Sequence, residues 1–234
     1  MKTKNIVIII IVIALVGIGA WALLGGKIGI KEGLVPIGEE AVTPEEGAEE
    51  TGLSLTEILG KATGLSSLKY DAVVTAPGEV AVTTKMWWKG EKMRMEGTFE
   101  GKTMVYLIDM GEGLAYIYFP ADNTAIEMDL AEAQESIGES PTEQSESVTQ
   151  YNPVTLGTEV LDGKNCRVIE YTAEAVKTKS WVWIDYGLII KIESTTDEGT
   201  SVFELKNIDF GAIPDSMFEL PAGVQMMEIP FLGL

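Results

Sequence analysis

The sequence predicts an α+β protein that is mainly antiparallel β, preceded by one transmembrane helix. Three observations support this fold class. The stretch from Ile6 to Leu24 carries no charge and is long enough to cross the hydrocarbon core of a bilayer. A short amphipathic helix is predicted to begin after Ser54. Beyond Leu68, apolar segments alternate with glycine or proline turns, which is typical of an antiparallel meander.

The uncharged N-terminal stretch has two interpretations. It follows Lys2 and Lys4, and Ala20-Trp21-Ala22 has the small-x-small form that signal peptidase accepts. A cleaved signal is therefore one alternative. The length of the stretch favours a retained anchor, because the apolar region of a signal peptide has about 7–15 residues. We predict an anchor over residues 1–24. The C-terminal domain then lies on the extracytoplasmic side of the cell membrane, or is secreted if the signal is cleaved.

The segment over residues 25–52 is predicted to be a disordered tether. It is rich in glutamate and glycine and contains Pro36 and Pro44, with few residues that could pack in a core. Acidic segments of this composition repel themselves and stay extended in water. We therefore place the folded domain at residues 53–234.

The folded domain is predicted to begin with a helix and to continue as strands. Ser54 and Glu57 have the spacing of a capping box, which marks a helix start. Leu55, Ile58, Leu59 and Ala62 then share one helical face. An acidic excursion over residues 131–150, which we expect to be mobile, separates two groups of strands. The predicted strands are Leu68–Ala76, Val80–Trp88, Lys92–Phe99, Thr103–Asp109, Leu114–Phe119, Thr124–Asp129, Thr158–Leu161, Asn165–Thr172, Thr178–Ile184, Leu188–Ser194 and Thr200–Phe210.

Composition argues against several classes of function. The net charge of −19 repels nucleic-acid phosphates, so we expect no nucleic-acid partner. The chain has no histidine and one cysteine, Cys166, which excludes histidine-dependent nucleophilic catalysis and disulfide formation within the chain. Asp185 and Glu193, which flank a turn, are a weak candidate for a carboxylate pair, and Asp197 with Glu198 for a calcium site. We expect neither an enzyme nor a cofactor.

A surplus of apolar strand surface points to a function. Met104–Ile108, Leu114–Phe119, Trp181–Ile184 and Leu188–Ile190 are apolar at consecutive positions, so both faces of these strands need cover. One short helix is small against about eleven strands, and a sheet of that width tends to curl into a groove. Such a groove could hold an apolar ligand, although the alternative of a dry core remains open. The candidate lining residues are Met86, Trp88, Met93, Met95, Met104, Tyr106, Tyr116, Tyr118, Trp181 and Trp183.

Five short motifs, in this order along the chain, resemble the periplasmic lipoprotein-carrier superfamily. They are Leu68-Lys69-Tyr70 after the helix, the hairpin from Lys85-Met86-Trp87 to Lys92-Met93-Arg94, the passage from Gly157 to Lys164, Trp183-Ile184-Asp185, and Ile213 to Gly223. This superfamily includes the outer-membrane lipoprotein carrier and receptor and sensor domains of envelope-stress regulators. The resemblance implies an unclosed β-barrel, or half-barrel, with short helices over its concave face and an acyl-chain site between them.

Two functions follow as expectations. The first is a tethered extracytoplasmic protein that holds a lipid or lipoprotein acyl chain in a hydrophobic groove. The alternative is a sensory or structural module with a dry core that binds an envelope protein. The retained anchor departs from the soluble carriers of this superfamily and argues against shuttling between two membranes.

Overall fold

The computed structural model describes residues 52–77, 79, 81–99, 101–130, 140–173, 176–197 and 199–227. The predicted anchor over residues 1–24 lies outside these ranges, as does all but the last residue of the predicted tether. Within the ranges described, no helix combines the length and the apolar composition that a membrane crossing requires.

The described chain forms one sheet of 12 strands that does not close on itself. The strand order is β12-β6-β5-β4-β3-β2-β1-β11-β10-β9-β8-β7, so β12 and β7 stand at opposite edges. Every pair is antiparallel except β12 with β6. The strands are β1 Ser67–Thr75, β2 Val82–Lys89, β3 Lys92–Phe99, β4 Lys102–Asp109, β5 Leu114–Phe119, β6 Thr124–Asp129, β7 Val154–Leu161, β8 Lys164–Ala173, β9 Val176–Trp183, β10 Leu188–Thr196, β11 Gly199–Asp209 and β12 Gln225–Met226. The prediction of a mainly antiparallel β fold with the six-strand meander is confirmed.

The first helix, α1 (Leu55–Leu59), begins at the predicted capping box. Ser54 Oγ accepts a hydrogen bond from the amide of Glu57 at 3.3 Å, and the Glu57 carboxylate accepts one from the Ser54 amide at 2.8 Å. The hydrogen bonds from Ser54 lower the pKa of the Glu57 carboxyl. The chain continues as a 3₁₀ turn, Gly60–Gly64, so the helical stretch ends at Gly64.

A second helix, α2 (Pro141–Ser147), occupies the region predicted to be a mobile excursion. Ser140 caps it, with its hydroxyl accepting from the amide of Glu143 at 3.1 Å and with Pro141 at the first helical position. A 3₁₀ turn, Val148–Tyr151, follows. From Ser140 onward this segment thus contains a capped helix, residues 131–139 lie outside the described ranges, and the mobility expected over residues 131–150 stays a prediction. The Ser-x-x-Glu spacing of a capping box was the missed signal.

The pairing register assigns each strand residue to one of two faces, because directly paired residues point the same way. We call one of them the helix face and define it by Tyr70, Met86, Thr178 and Phe203. Tyr171, which pairs with Thr178, belongs to it. The ring of Tyr151, at the end of the second helical stretch, stacks on Tyr171 with 5.5 Å between centroids. The helical elements therefore lie on this face, and the opposite face is called the outer face.

The chain after β11 crosses the outer face and forms a C-terminal strap over residues 211–227. Lys89 Nζ donates to the carbonyl of Ile213 at 3.0 Å, and Arg94 donates to the carbonyl of Met217 at 2.9 Å. The strap ends beside β6, where Asn123 donates to the carbonyl of Gly223 at 2.9 Å and β12 pairs with the strand. Its 3₁₀ turn, Asp215–Phe218, lies against β3 and β4. The strap thus covers outer-face apolar residues that the sequence left without a partner.

Candidate functional site

The described helices pack on one half of the helix face. Lys61 Nζ donates to the carbonyl of Ile184 at 2.7 Å, which places α1 on the turn between β9 and β10. Ser145 Oγ accepts a hydrogen bond from the amide of Ile189 at 3.3 Å, which places α2 on β10. The register shift between Ile189 and Lys191 is a bulge, and bulges leave a backbone group without its ladder partner. The Ser145 hydroxyl satisfies that amide.

The other half of the helix face, over β1–β6, carries two continuous rows of apolar residues. Each row has one residue per strand, so it spans five strand spacings, about 24 Å. The first row is Tyr70, Met86, Met95, Tyr106, Ile117 and Ile126. The second row is Leu68, Trp88, Met93, Ile108, Ala115 and Met128. Together they form what we call the apolar double row.

The centre of the double row is partly exposed and rich in methionine. Met93 and Met95 on β3 are only half-buried, whereas Met86 beside them on β2 is 6% exposed. Unbranched thioethers adapt to ligands of varied apolar shape, so flexible side chains occupy the part of the surface that remains accessible. Burial raises the pKa of Tyr106 in the first row to about 12.

Six of the ten predicted lining residues share the helix face. Pairing places Met104 there as well, opposite Gly97, which is two residues beyond Met95 on the same strand. The six residues are Met86, Trp88, Met93, Met95, Met104 and Tyr106. That these side chains bind a ligand stays a prediction.

The other four predicted lining residues lie on the outer face, as the parity of these strands, which the sequence left open, allowed. Tyr116 pairs with Leu107, which pairs with Arg94 beneath the C-terminal strap, and Tyr118 lies two residues further along the same strand. Trp181 and Trp183 lie opposite Val168 and Cys166. The strands that carry these four residues, β5 and β9, are apolar on both faces, so the sequence pattern could not show which of their side chains point inward.

Polar side chains contact the two tryptophans of the outer face, Trp181 and Trp183. Lys179 and Lys191 lie over the ring of Trp181, 4.4 and 4.5 Å from its centroid, and the indole nitrogen donates to Glu159 at 2.8 Å. Trp181 is 4% exposed on the outer face, and the two lysines cover part of its ring. Trp183 packs in a partly exposed aromatic cluster with Tyr186 and Phe210, with ring centroids 4.4 and 5.9 Å away. The side chains of Lys179 and Lys191 shield the Trp181 ring from water, and a hydropathy pattern does not reveal such contacts.

Sequence analysis missed several residues that line the double row. Ile108 pairs with Met93 and Ile117 pairs with Tyr106, while Met128 pairs with Ala115, which follows Ile108 in the second row. Tyr70 completes the first row, and burial raises the pKa of its hydroxyl. Each missed residue is apolar and in phase with a lining methionine or tyrosine, so a known register would have identified them.

The polar groups considered for catalysis have local partners. The indole nitrogen of Trp183 donates to Asp185 at 3.2 Å, and Glu193 forms an ion pair with Lys191 at 2.8 Å. Burial raises the pKa of the Cys166 thiol to about 12. The part of the chain that the structure describes contains no cluster of three or more potential metal ligands.

Comparison with known proteins identifies similar folds. No family model matches the sequence, and no curated protein matches it. Among solved structures, an uncharacterized conserved protein from Thermus thermophilus is similar with a TM-score of 0.53 and 11% identity. The match covers 75% of this chain and 99% of that one.

Two other solved structures are similar to the chain. A MucA/MucB complex from Pseudomonas aeruginosa has a TM-score of 0.49 and 17% identity, over 74% of this chain and 63% of that one. A LolA superfamily protein from Nitrosomonas europaea has a TM-score of 0.32 and 14% identity, over 72% and 98%. These likenesses concern the fold alone.

Proposed function

We propose that the protein is an extracytoplasmic binding protein, tethered through Ile6–Leu24, that holds a lipid or lipoprotein acyl chain against the apolar double row. The proposal assigns it no catalytic step and no cofactor. Its partners are the acyl chain and the membrane that anchors it.

The observation that carries this proposal is the partly exposed centre of the double row, at Met93 and Met95. A residue whose only purpose is to fill a core is normally shielded from water, as Leu68 is at 1% exposed. Met93 and Met95 lie in phase with such residues but keep part of their surface accessible. The described helices contact the opposite half of the face. An acyl chain laid along the row would bury this remaining apolar surface, at a gain of about 25 cal/mol per Å².

Binding along the row predicts a specific mutational result. Met95→Gln preserves the length of the side chain and places an amide in the proposed acyl site, where it lacks a partner. Leaving a buried amide unsatisfied costs about 1–3 kcal/mol, which weakens acyl binding roughly fivefold to a hundredfold. Met226→Gln is the matched control, because Met226 is 49% exposed on the C-terminal strap.

The assay is displacement of a fluorescent fatty-acyl probe from the full-length protein in nanodiscs, together with native mass spectrometry of protein isolated from its own membrane. We expect a copurified lipid and weaker probe binding in Met95→Gln only. Ligand-free protein that does not respond to acyl probes would refute the proposal.

Strand β7, which has one neighbour strand among the described residues, favours a second candidate, a protein-interaction module. Strand β7 is the outermost strand on its side, and Val154 and Leu156 at its start are 64% and 52% exposed. No charged residue lies between Val154 and Thr158 to discourage pairing with a partner strand. Substitution of Leu156 by lysine should then abolish capture of a specific envelope protein and leave acyl-probe binding unchanged. An unchanged capture would argue against an edge-docked partner.

A further inference from the structure

Among the described residues, strands β2–β6 carry five methionines on the helix face, namely Met86, Met93, Met95, Met104 and Met128. Met86 pairs directly with Met95, and Met93 lies on the same face of β3. Met86 and Met104 are only 6% and 8% exposed, so solvent reaches little of their side chains. Met93 and Met95 are partly exposed at the centre of the double row. We call Met93 and Met95 the thioether pair.

Partly exposed methionine side chains are open to a specific reaction with peroxides. Hydrogen peroxide transfers one oxygen atom to the thioether sulfur and leaves as water. The sulfur loses two electrons in forming the sulfoxide, and the peroxide takes up the same two electrons. The product is polar and chiral where the thioether was apolar. On the thioether pair, this reaction would place S=O groups in the apolar surface on which an acyl chain is proposed to lie.

The thiol of Cys166 does not compete for the oxidant. Cys166 is 0% exposed, and burial raises the pKa of its thiol to about 12. Because the thiolate is the reactive form, a buried thiol of this pKa is inert at neutral pH. Cys166 is the only cysteine of the chain, so no disulfide can form within it. The sulfur chemistry of the helix face therefore belongs to its thioethers.

The neighbours of the thioether pair in the double row do not share this sensitivity. Met93 pairs with Trp88 on one side and with Ile108 on the other, and Met95 lies between Met86 and Tyr106. Leucine has nearly the volume of methionine and would keep the surface apolar without an oxidisable sulfur. The two methionines thus make the accessible centre of the double row the part of it that a peroxide converts to a polar surface.

We propose that the thioether pair Met93–Met95 is a site of oxidative modification, at which a peroxide converts the methionines to sulfoxides and thereby releases the acyl ligand. The inference rests on the proposed acyl-binding function and adds its regulation: the reduced protein binds acyl chains, and the oxidised protein binds them weakly. Methionine sulfoxide reductases restore the thioether, so the change is reversible. A bound acyl chain covers both side chains and therefore slows their oxidation.

The test treats the full-length protein, in nanodiscs of saturated phospholipid, with hydrogen peroxide at neutral pH. Binding of a fluorescent fatty-acyl probe is measured before and after, and peptide mass spectrometry reports the sulfoxide at each methionine. Oxidation of the pair should weaken probe binding roughly fivefold to a hundredfold, as expected when an unpaired polar group enters an apolar contact. Saturating unlabelled fatty acid, added before the peroxide, should slow sulfoxide formation at Met93 and Met95.

Matched variants assign the effect to the pair. The double variant Met93→Leu, Met95→Leu should bind the probe and keep its affinity after peroxide treatment. Met226→Leu with Met227→Leu is the control, because these strap residues are 49% and 40% exposed and oxidise readily. This control should lose affinity on treatment as the wild type does. A methionine sulfoxide reductase should restore binding to the treated wild type, and its circular dichroism should show an intact fold throughout.

Three results would overturn the inference. The first is complete oxidation of Met226 and Met227 while Met93 and Met95 stay unmodified. The second is a leucine double variant that loses as much affinity as the wild type, because another residue would then carry the sensitivity. The third is loss of the β-sheet signal on oxidation, which would indicate unfolding. In each case acyl binding by the untreated protein stands. If the untreated wild type does not bind the probe, the proposed function fails, and the inference fails with it.

Discussion

The contact between α1 and the turn joining β9 and β10 depends on one glycine, and its substitution gives a measurable prediction. Gly187 has a φ of +69°. A Cβ added there would collide with the carbonyl oxygen of Ile58 and would lie 2.9 Å from the carbonyl oxygen of Leu59 and 3.0 Å from the amide nitrogen of Ala62. The helix backbone therefore rests directly on the turn, and Gly187→Ala must either push the helix away or strain both elements.

The expected loss of stability has two parts. A non-glycine residue in the left-handed region costs about 1–2 kcal/mol, and forcing an extra methyl group into a packed contact costs about 1–3 kcal/mol. Gly187→Ala should thus destabilise the domain by about 2–5 kcal/mol. Gly163→Ala is a matched control, because Gly163 lies in the β7–β8 turn at a φ of +71° with nothing within 4 Å of the added Cβ. It should lose only the first part, about 1–2 kcal/mol.

Thermal unfolding of the full-length protein, followed by tryptophan fluorescence, measures both variants. For a domain of this size each kcal/mol lowers Tm by roughly 2–4 °C. The Gly187 variant should therefore melt well below the Gly163 variant. Equal melting temperatures would show that α1 does not rest on the turn and would refute the packing described for the helix face.

Three other predictions test the helix, the strap and the core. Ser145→Ala leaves the buried amide of Ile189 without an acceptor and should cost about 1–3 kcal/mol in denaturant unfolding. The strap should loosen as the pH falls below about 4. The hydrogen bond and the charge of Lys89 lower the pKa of the Asp215 carboxyl. The stabilisation that Asp215 contributes is therefore fully present above its unfolded pKa and is lost when the carboxylate is protonated. Hydrogen exchange of the strap amides reports this change. The Cys166 thiol, whose pKa burial raises to about 12, should react with iodoacetamide at neutral pH only after unfolding, as mass spectrometry of the alkylated chain would show.

Each of these predictions has a contradicting result. A Ser145→Ala variant as stable as the wild type would mean that another group accepts from Ile189. Strap amides with equal protection factors at pH 6 and pH 3, after correction for the pH dependence of intrinsic exchange, would remove the role assigned to Asp215. Rapid alkylation of the folded protein would place Cys166 outside the core.

Local sequence signals were sufficient to predict eleven of the twelve strands, although β7 begins at Val154 rather than at the predicted Thr158 and β12 was not predicted. Tight turns such as Asp162-Gly163 have positive φ values that glycine and asparagine or aspartate adopt readily, so their positions separate the strands. The capping box at Ser54 fixed the start of α1. These features depend on a few adjacent residues, so the printed sequence contains them completely.

Features that depend on residues distant in the chain could not be predicted from local sequence signals. In Leu114–Phe119 and Trp181–Ile184 both strand faces are apolar, so the alternation of apolar and polar residues does not show which face points inward. Four candidate residues therefore lie on the outer face rather than on the helix face. The bulge after Ile189 depends on a hydrogen bond to Ser145, which is distant in the chain. The strap is held by hydrogen bonds to backbone carbonyls, such as those of Ile213 and Met217. Every residue type has a backbone carbonyl, so the sequence of the strap does not reveal these contacts.

The strap also changes the apolar balance inferred from the sequence. The consecutive apolar residues of Met104–Ile108 indicated more apolar surface than the predicted helices could cover. On β4, Val105 and Leu107 face outward and are each only 2% exposed, beneath the strap, so the outer half of that surplus is covered by the chain itself. The surplus that supports a ligand is therefore confined to the helix face.

Mapping of a photoactivatable acyl probe tests the central claim most directly. The full-length protein would be irradiated with a long-chain fatty-acyl diazirine in its membrane, and the modified residues identified by peptide mass spectrometry. The proposed site predicts adducts on helix-face residues of β2–β5, chiefly Met93, Met95 and Tyr106, that excess unlabelled lipid suppresses. Adducts confined to the outer-face residues Tyr118 and Trp183, or to the N-terminal segment, would contradict an acyl site on the helix face.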